Sequence, residues 1–161
     1  MMNNPNKPTI GAIVRGGEQY PDIRGYVLFH EIPTGTIVEV HFDGLPEYSP
    51  PTENQLQIGP FGFHIHEHGT CDPHAPNQPF STAGTHYNPT NQPHGNHVGD
   101  FPVLFSNHGY SWMMFFSDKF KPEEVVGRAI MVHASPDDYS TQPAGFSGRR
   151  IACGVIQEYQ L

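Results

Sequence analysis

Histidine is the residue type in this sequence that offers the most chemistry. The chain contains eleven histidines against eight lysines and arginines, and seven of the histidines lie between His64 and His97. Imidazole suits copper and zinc ions, and it also exchanges protons near neutral pH. One such histidine alone is as well explained by solvation or by a backbone hydrogen bond, but a set of this density predicts metal binding.

Two of these histidines share one face of a predicted strand. His64 and His66 lie inside the strand pattern FGFHIHE, and residues i and i+2 of a strand point to the same side, roughly 6.5 to 7 Å apart along the backbone. Two imidazoles can converge from there on one ion at ~2 Å each. Further candidate ligands follow in the chain: His86, His94, His97, Asp100 and His133. A carboxylate added to histidines suits zinc better than copper.

Other histidine-based metal motifs fit this spacing less well. In a cupin a glutamate follows the HxH pair after a few residues, whereas here Glu67 follows His66 directly. A metallo-β-lactamase has HxHxDH where this chain reads HIHEHG, and the HExxH helix of the zincins is missing from the sequence.

The elements that must position these ligands are short strands. Apolar segments rich in valine, isoleucine and aromatic residues alternate with turn-forming residues, a pattern typical of strands. Eight strands are predicted: Thr9–Val14, Arg24–Glu31, Gly35–Phe42, Phe61–Glu67, Pro102–Phe105, Ser111–Phe116, Val126–His133 and Arg150–Ile156. No segment has a sustained helical apolar stripe, so the fold class is all-β, a sandwich or a barrel. The long loops are expected to be functional or pinned by a metal or disulfide: Glu47–Pro60, Gly69–Thr85, Tyr87–Gly99 and Ala134–Arg149.

Composition limits the domain number and the partners. A length of 161 residues predicts one domain over residues 1–161. Sixteen acidic against eight basic side chains give a net charge of −8, which argues against nucleic acid or an anionic membrane as a partner. No run of about 18 apolar residues is present to span a bilayer. Cys71 and Cys153 are too few for a four-cysteine zinc module and allow one disulfide or two free thiols. The start MMNNPNKP has no apolar signal region, which predicts a cytoplasmic location, or an extracytoplasmic one after a signal has been removed.

Five segments of the chain resemble the copper/zinc superoxide dismutase family. They are Gly62–Glu67 (GFHIHE), Ala83–Pro89 (AGTHYNP), His97–Asp100 (HVGD), Gly127–His133 (GRAIMVH) and Gly148–Gly154 (GRRIACG). The resemblance covers nearly the whole chain, from about Thr9 to Ile156. It implies an eight-stranded Greek-key β-sandwich or flattened barrel with long metal-binding and channel loops, which agrees with the eight predicted strands.

The resemblance also implies a role for each site residue. The implied copper ligands are His64, His66, His86 and His133. The implied zinc ligands are His86, His94, His97 and Asp100, so that His86 bridges the two ions. Asp137 matches the family's carboxylate that links one copper ligand to one zinc ligand. Arg150 matches the arginine that lines the copper channel, with a surface ion pair as the alternative, and the family's disulfide maps to Cys71 and Cys153.

The implied activity is conversion of two superoxide anions and two protons to oxygen and hydrogen peroxide, by alternating reduction and reoxidation of copper. His86 would supply one of the protons. A family member without activity, serving zinc-stabilised or metal-storage purposes, would not need all four copper-site histidines. A copper chaperone would normally present exposed thiolates such as Cys-x-x-Cys, which the sequence lacks. A homodimer is an assembly that the sequence leaves open.

The chain departs from the family pattern in three loops. Only Gly95 and Asn96 separate His94 from His97, where the family has a longer insert, although short spacings are common at structural zinc sites. The loop Ala134–Arg149 contains no lysine, and positions that often hold threonine and lysine read Ala144 and Pro143. We therefore expect a wider channel with fewer positive charges, with Arg149 compensating in part. The loop Glu47–Pro60 is longer than usual, and its composition fits either an ordered loop or a flexible flap.

Overall fold

Seven antiparallel β-strands form one curled sheet in the computed structural model, which describes residues 8–160. The strands are β1 (Thr9–Gly16), β2 (Arg24–Ile32), β3 (Gly35–Asp43), β4 (Phe63–His66), β5 (Ser111–Ser117), β6 (Ala129–His133) and β7 (Arg150–Tyr159). The helical content of the described residues is two single turns of 3₁₀ helix, Ser81–Ala83 and Pro122–Val125. No helix in this part of the chain is long and apolar enough to cross a membrane.

The strand order places β1, β2, β3 and β5 in one part of the sheet and β4, β6 and β7 in the other. The order is β4-β6-β7-β1-β2-β3-β5, so β1, β2 and β3 follow one another as hairpins, while β4 and β5 occupy opposite edges. The connection between β4 and β5 therefore crosses from one edge to the other, and it contains most of the histidine-rich segment. The predicted all-β fold is confirmed.

The inner face of the curled sheet contains the hydrophobic core. In β3, Val38, Val40 and Phe42 are buried while the alternate residues Glu39 and His41 are more exposed, which is the two-residue period of a half-buried strand. Aromatic rings from other elements pack into the same core, among them Phe63 and Phe101. Each such apolar side chain contributes about 1.5–3 kcal/mol on burial.

The prediction of an eighth strand at Pro102–Phe105 is wrong. There Leu104 makes a single two-way bridge with Phe61 and no ladder. Pro102 has no N–H to extend a ladder, and the N–H of Val103 donates instead to the hydroxyl of Tyr139. Because the pairing of Phe61 with Leu104 is a single bridge, Phe61 lies outside β4, which begins at Phe63.

Two of the loops that the sequence marks as long make defined contacts. Residues 47–60 form a small hairpin with bridges between Ser49 and Ile58 and between Thr52 and Gln55. Cys71 and Cys153 form a disulfide, which ties the loop Gly69–Thr85 to β7. The predicted disulfide is confirmed.

Candidate metal centre

β4 is the strand on which the histidine clusters are assembled. Its residues Phe63 and Ile65 belong to the hydrophobic core, so His64 and His66 face the opposite side, toward the loops. The backbone of Ile65 binds two loop segments, because its N–H donates to Gly99 and its carbonyl accepts from the N–H of Tyr87. These two segments place Asp100 and His86 directly beside the two histidines of β4.

Gly99 is required at one of these contacts by close approach. A Cβ atom at this position would lie 2.4 Å from the carbonyl oxygen of Ile65, which is far inside van der Waals contact. The same close approach brings Asp100 into an isolated bridge with His64, while His86 forms another with His66. The spacing of the second ligand group is therefore set by backbone pairing with β4.

Four buried imidazoles form the first cluster. His64, His66, His86 and His133 each offer one nitrogen, and these four atoms lie within 4.8 Å of one another. The Nδ1–H of His66 donates to the carbonyl of Gly84 (3.0 Å), and that of His133 donates to the carbonyl of Gly148 (3.1 Å). Their Nε2 atoms are consequently turned toward each other, 3.3 Å apart.

Three histidines and one carboxylate form the second cluster. His86, His94, His97 and Asp100 offer ligand atoms within 4.8 Å of one another. The Nδ1 atoms of the three histidines lie 2.9 to 3.3 Å from the Asp100 oxygens. His86 belongs to both clusters, one at each ring nitrogen, because its Nδ1 faces Asp100 and its Nε2 faces the first cluster.

Asp137 links the two clusters behind the ligands. Its Oδ2 accepts a hydrogen bond from Nε2 of His64 (2.6 Å), and its Oδ1 accepts one from Nε2 of His94 (2.8 Å). A carboxylate in this position fixes the ring orientation of a histidine ligand and raises its basicity. The structure thus brings together every residue that the sequence assigns to the two metal sites and to the carboxylate link.

Buried nitrogens without partners show where ions fit. Four imidazole nitrogens are buried and form no hydrogen bond within the described chain: Nδ1 of His64, Nε2 of His86, Nδ1 of His94 and Nδ1 of His97. An unsatisfied buried polar atom costs about 1–3 kcal/mol, and these four all belong to the two clusters. Imidazole nitrogens suit copper, and the set with a carboxylate suits zinc, so the donor atoms fit both ions.

Burial keeps three imidazoles of the first cluster neutral, as ligation requires. Burial lowers the pKa of His133 to about 3 and holds the pKa values of His64 and His66 well below the usual range. Burial alone would raise the pKa of Asp100, but hydrogen bonds from His86 and from the backbone N–H of His97 hold it below its ordinary value. His64, His66 and His133 are therefore neutral and Asp100 is ionised at neutral pH.

A cavity of about 310 Å³ opens above the first cluster. His66, His86 and His133 lie on its wall, and Arg150 is the one cationic side chain among the described residues that line it. Arg150 donates to the carbonyls of Phe80 (2.7 Å) and Gly84 (2.6 Å). Gly84 is also the acceptor for His66, so the arginine and this ligand are held by one carbonyl.

The cavity rim follows the sequence expectation in one respect and departs from it in another. Pro143 and Ala144 line the rim, which gives it no charge from these positions. Arg149, in contrast, donates to Gln19 (2.8 Å) and lies over the ring of Tyr20. The expectation that Arg149 compensates at the channel is wrong, because this side chain is engaged elsewhere.

Sequence reasoning missed the backbone acceptors and several loop contacts of the site. The carbonyls of Gly84 and Gly148 orient two histidines, and nothing in the sequence marks a carbonyl for that task. Tyr139 binds the backbone of Phe101 and Gln142 that of His94, and each is one polar residue in a long polar loop. A periodic pattern, which would have identified them, does not exist in such loops.

One curled antiparallel sheet with two adjacent clusters that share an imidazole defines a β-sheet metalloprotein with a binuclear centre. A family model described as "Copper/zinc superoxide dismutase (SODC)" matches residues 23–156. The chain is 34% identical to the superoxide dismutase [Cu-Zn] of Deinococcus radiodurans, over 94% of this chain and 85% of that protein. It is 35% identical to the one from Legionella pneumophila, over 83% and 77% respectively. The chain belongs to the copper/zinc superoxide dismutase family.

Solved structures agree with this membership. The Cu/Zn superoxide dismutase from Brucella abortus superposes with a TM-score of 0.72 at 31% identity, covering 91% of this chain and 98% of that one. A SOD-like protein from Bacillus subtilis superposes with a TM-score of 0.68 at 25% identity, covering 90% and 96%. The resemblance seen in the sequence is confirmed, and the strand count is the part of the implied fold that differs.

Proposed function

We propose that this chain is a superoxide dismutase whose copper is held by the first cluster and whose zinc is held by the second. Membership of the family supports the activity and both cofactors. The copper ligands are His64, His66, His86 and His133, and the zinc ligands are His86, His94, His97 and Asp100. The single observation that carries the assignment is the set of four buried imidazole nitrogens that form no hydrogen bond within the described chain and that all belong to residues of these two clusters.

The two ions supply different chemistry when bound. Copper supplies the alternation between Cu(II) and Cu(I) that takes an electron from one superoxide and gives one to the next, whereas zinc stabilises the loop that carries the shared ligand. The protein contributes the cavity above the first cluster, the orientation of the imidazoles and a proton.

His86 is the residue placed to supply a proton. Its Nδ1 is engaged with Asp100, whereas its Nε2 has no protein partner and lines the cavity with the other copper-site histidines. Nε2 can therefore hold a proton when it is not ligated and pass it to a reduced oxygen species in the cavity. This role follows from the position of one atom between the two clusters.

Arg150 is the residue placed to attract the anion. Superoxide carries a negative charge, and the net charge of the chain is −8, so a local positive focus is needed for fast association. Arg150 lies in the cavity wall and is fixed by two carbonyls, which holds its charge at the entrance to the copper cluster. Its role is that of a substrate-guiding group.

Metal analysis and a superoxide-consumption assay on one preparation test the function. We expect one copper and one zinc per chain together with dismutase activity. A preparation that binds both ions but leaves superoxide untouched would contradict the proposal and support a metal-storage role. A preparation that retains neither ion would contradict the ligand assignment itself.

The homodimer is also a proposal, and the outer face of the sheet supports it. Ile13, Tyr26, His41 and Trp112 are paired side by side across β1, β2, β3 and β5, forming a cross-strand row. Ile13, Tyr26 and Trp112 are between 41% and 58% exposed, and the ring of His41 stacks on that of Tyr26. A contiguous exposed apolar row is typical of a protein interface, and a second copy can cover it by two-fold symmetry.

Sedimentation equilibrium of a charged variant tests this assembly. Trp112→Lys should shift the mass of the particle from dimer to monomer, because the charge would be buried without a partner. Tyr48→Lys is the matched control, since Tyr48 is 63% exposed and lies outside the row. Equal masses for both variants and the unchanged protein would contradict the proposed interface.

The predicted cytoplasmic location, with the extracytoplasmic alternative, is checked separately by cell fractionation and immunoblotting.

A further inference from the structure

The zinc loop, residues 86–100, is held by one glutamine side chain of the loop 134–149. Oε1 of Gln142 accepts a hydrogen bond from the backbone N–H of His94 (2.8 Å), and Nε2 of Gln142 donates to the carbonyl of His94 (3.2 Å). A side-chain amide that binds both the N–H and the C=O of one residue makes the two hydrogen bonds that a neighbouring strand would otherwise make. Within residues 8–160, neither backbone group of His94 takes part in a backbone–backbone hydrogen bond.

The short spacer explains why the loop needs an external partner. Two residues, Gly95 and Asn96, separate the ligands His94 and His97, so the loop is too short to form regular structure of its own. Gly95 has φ +91°, and a Cβ there would lie 2.3 Å from the carbonyl oxygen of Tyr139. This segment is therefore packed closely against the loop 134–149, and its shape depends on that loop.

The same loop holds both the ring and the backbone of His94. Asp137 accepts a hydrogen bond from Nε2 of the ring, while Gln142 binds the backbone on the other side of the residue. Tyr139 adds a third contact, since its hydroxyl donates to the carbonyl of Phe101 and accepts from the N–H of Val103. Three side chains within six positions of one loop thus bind the zinc loop or the residues that directly follow it.

We propose that Gln142 is a positioning residue for the zinc ligand His94, and that it holds the shortened zinc loop in its binding conformation from the rim of the cavity. This inference rests on the proposed function, because it takes the second cluster as the zinc site. Gln142 touches no ion and no substrate. Gln142 raises the fraction of molecules in which Nδ1 of His94 already points at the zinc site. The apparent dissociation constant for zinc rises as that fraction falls.

The position of Gln142 also connects zinc binding with the substrate cavity. The next two residues, Pro143 and Ala144, line the cavity above the copper cluster. A contact that fixes Gln142 against His94 therefore fixes the start of the cavity rim. Loss of the contact should loosen both the zinc loop and the rim.

Zinc retention by the holoenzyme measures the effect. Wild type and Gln142→Met, both loaded with copper and zinc, are equilibrated with chelator buffers of stepped free zinc concentration, and both metals are then counted. Methionine has nearly the same volume and makes neither hydrogen bond, so we expect the free zinc concentration at half occupancy to rise about tenfold. The copper content should change little, because the hydrogen bonds of Gln142 go to His94 and Ser140, neither of which is a copper ligand.

Two further variants separate positioning from simple loss of a hydrogen bond. Gln57→Met is the matched control, since Gln57 also donates to a backbone carbonyl, that of Gly59, but lies in the loop 47–60. It should leave zinc retention unchanged. Gln142→Glu keeps the acceptor for the N–H of His94 and loses the donor to its carbonyl, so it should give an intermediate loss of zinc. It also serves as the test protein if the methionine variant does not fold.

A spectroscopic measurement reports the geometry directly. With Co²⁺ in the zinc site, the visible absorption bands should weaken or shift in Gln142→Met and stay unchanged in Gln57→Met. Unchanged zinc midpoints and unchanged Co²⁺ bands in both Gln142 variants would overturn the inference while leaving the proposed function intact. A wild-type protein that takes up no zinc would instead overturn the proposed function.

Discussion

At the scale of single residues, the position of His86 between two clusters decides how the centre can be dissected. Its Nδ1 faces Asp100 and its Nε2 faces the copper-site histidines. The neighbouring ligand His133 belongs to one cluster only, because its second nitrogen donates to Gly148. The two residues therefore form a natural pair for comparison.

Removal of the shared imidazole should damage both metal sites. His86→Ala should abolish dismutase activity and lower both copper and zinc content after dialysis against a chelator. His133→Ala should lower copper while leaving zinc near one per chain, because no atom of His133 reaches the zinc cluster. Elemental analysis of the two variants in parallel checks this. Wild-type zinc content in His86→Ala would refute the bridging assignment.

At the scale of elements, two loops are tied to the sheet by different means. The disulfide joins Cys71 to Cys153, at a sequence separation of 82 residues, so it closes a long loop onto β7. The second tie is the pairing of residues 86 and 100 with β4, at the cluster proposed to hold zinc.

The disulfide should contribute mainly to stability. Closing a loop of this length is worth about 4.5 kcal/mol in the chain-entropy model, which is an upper figure. The double variant Cys71→Ser, Cys153→Ser should lose about 2–4 kcal/mol in the free energy of unfolding, measured by denaturant titration with both metals bound. A loss below about 0.5 kcal/mol would show that the loop is held by its other contacts.

Zinc should act on the second loop in a comparable way. Binding to the native state adds about 4 kcal/mol at a thousandfold excess over Kd. Selective removal of zinc should therefore lower Tm by well over 5 °C in a calorimetric scan, while copper-dependent turnover survives in part. Superimposable scans with and without zinc would mean that residues 86–100 are stable without the ion.

At the scale of the whole molecule, the charge distribution and the buried imidazoles govern the response to salt and acid. The chain carries −8 overall, and Arg150 is the cationic side chain among the described residues that line the cavity. Added salt screens both the repulsive background and the local attraction, over ~8 Å at physiological strength. The sign of the salt effect shows which of the two dominates near the copper cluster.

We expect salt to slow superoxide consumption by the wild-type protein, with a modest slope, since one fixed cation faces the cavity. Arg150→Ala should lower the rate about tenfold and flatten or reverse the slope, because only the repulsive background remains. Metal content should stay normal, as Arg150 is no ligand and His66 keeps its own bond to Gly84. Pulse radiolysis over a salt series gives both quantities, and an unchanged slope in the variant would exclude the steering role.

Acid should destabilise the metal-free protein. Burial holds the pKa of His133 at about 3, below the ordinary value of 6.5, so below pH 6.5 the unfolded chain binds more protons than the folded one. The stabilisation from this histidine is therefore complete above pH 6.5 and is lost as the pH falls toward 3. The loss in the free energy of unfolding reaches about 3 kcal/mol at pH 4.5 for one such histidine. Urea titrations at pH 7 and pH 4.5 measure the difference. Equal stability at the two pH values would mean that folding does not lower the pKa of His133, so that its imidazole is protonated at pH 4.5 in the folded state as well.

The sequence by itself determined what is local or carried by motifs. The HIH pair on one strand face follows from the two-residue period of a strand, and the family resemblance implied the ligands, the carboxylate link of Asp137 and the pairing of Cys71 with Cys153. Seven of the eight predicted strands appear in the structure, with ends shifted by a few residues. These features depend on the alternation of side chains along a strand and on the residue types at fixed positions of the sequence.

Only the tertiary structure decided how the loops serve the site. Val103 donates to Tyr139 rather than to a strand, Arg149 turns to Gln19, and Gln142 binds the backbone of His94. Each of these contacts joins residues that are far apart in sequence and lie in segments without any period. Their geometry is set by the pairing of loop backbone with β4 and by close approaches such as that of Gly99 to Ile65, and no local rule of spacing encodes such long-range distances.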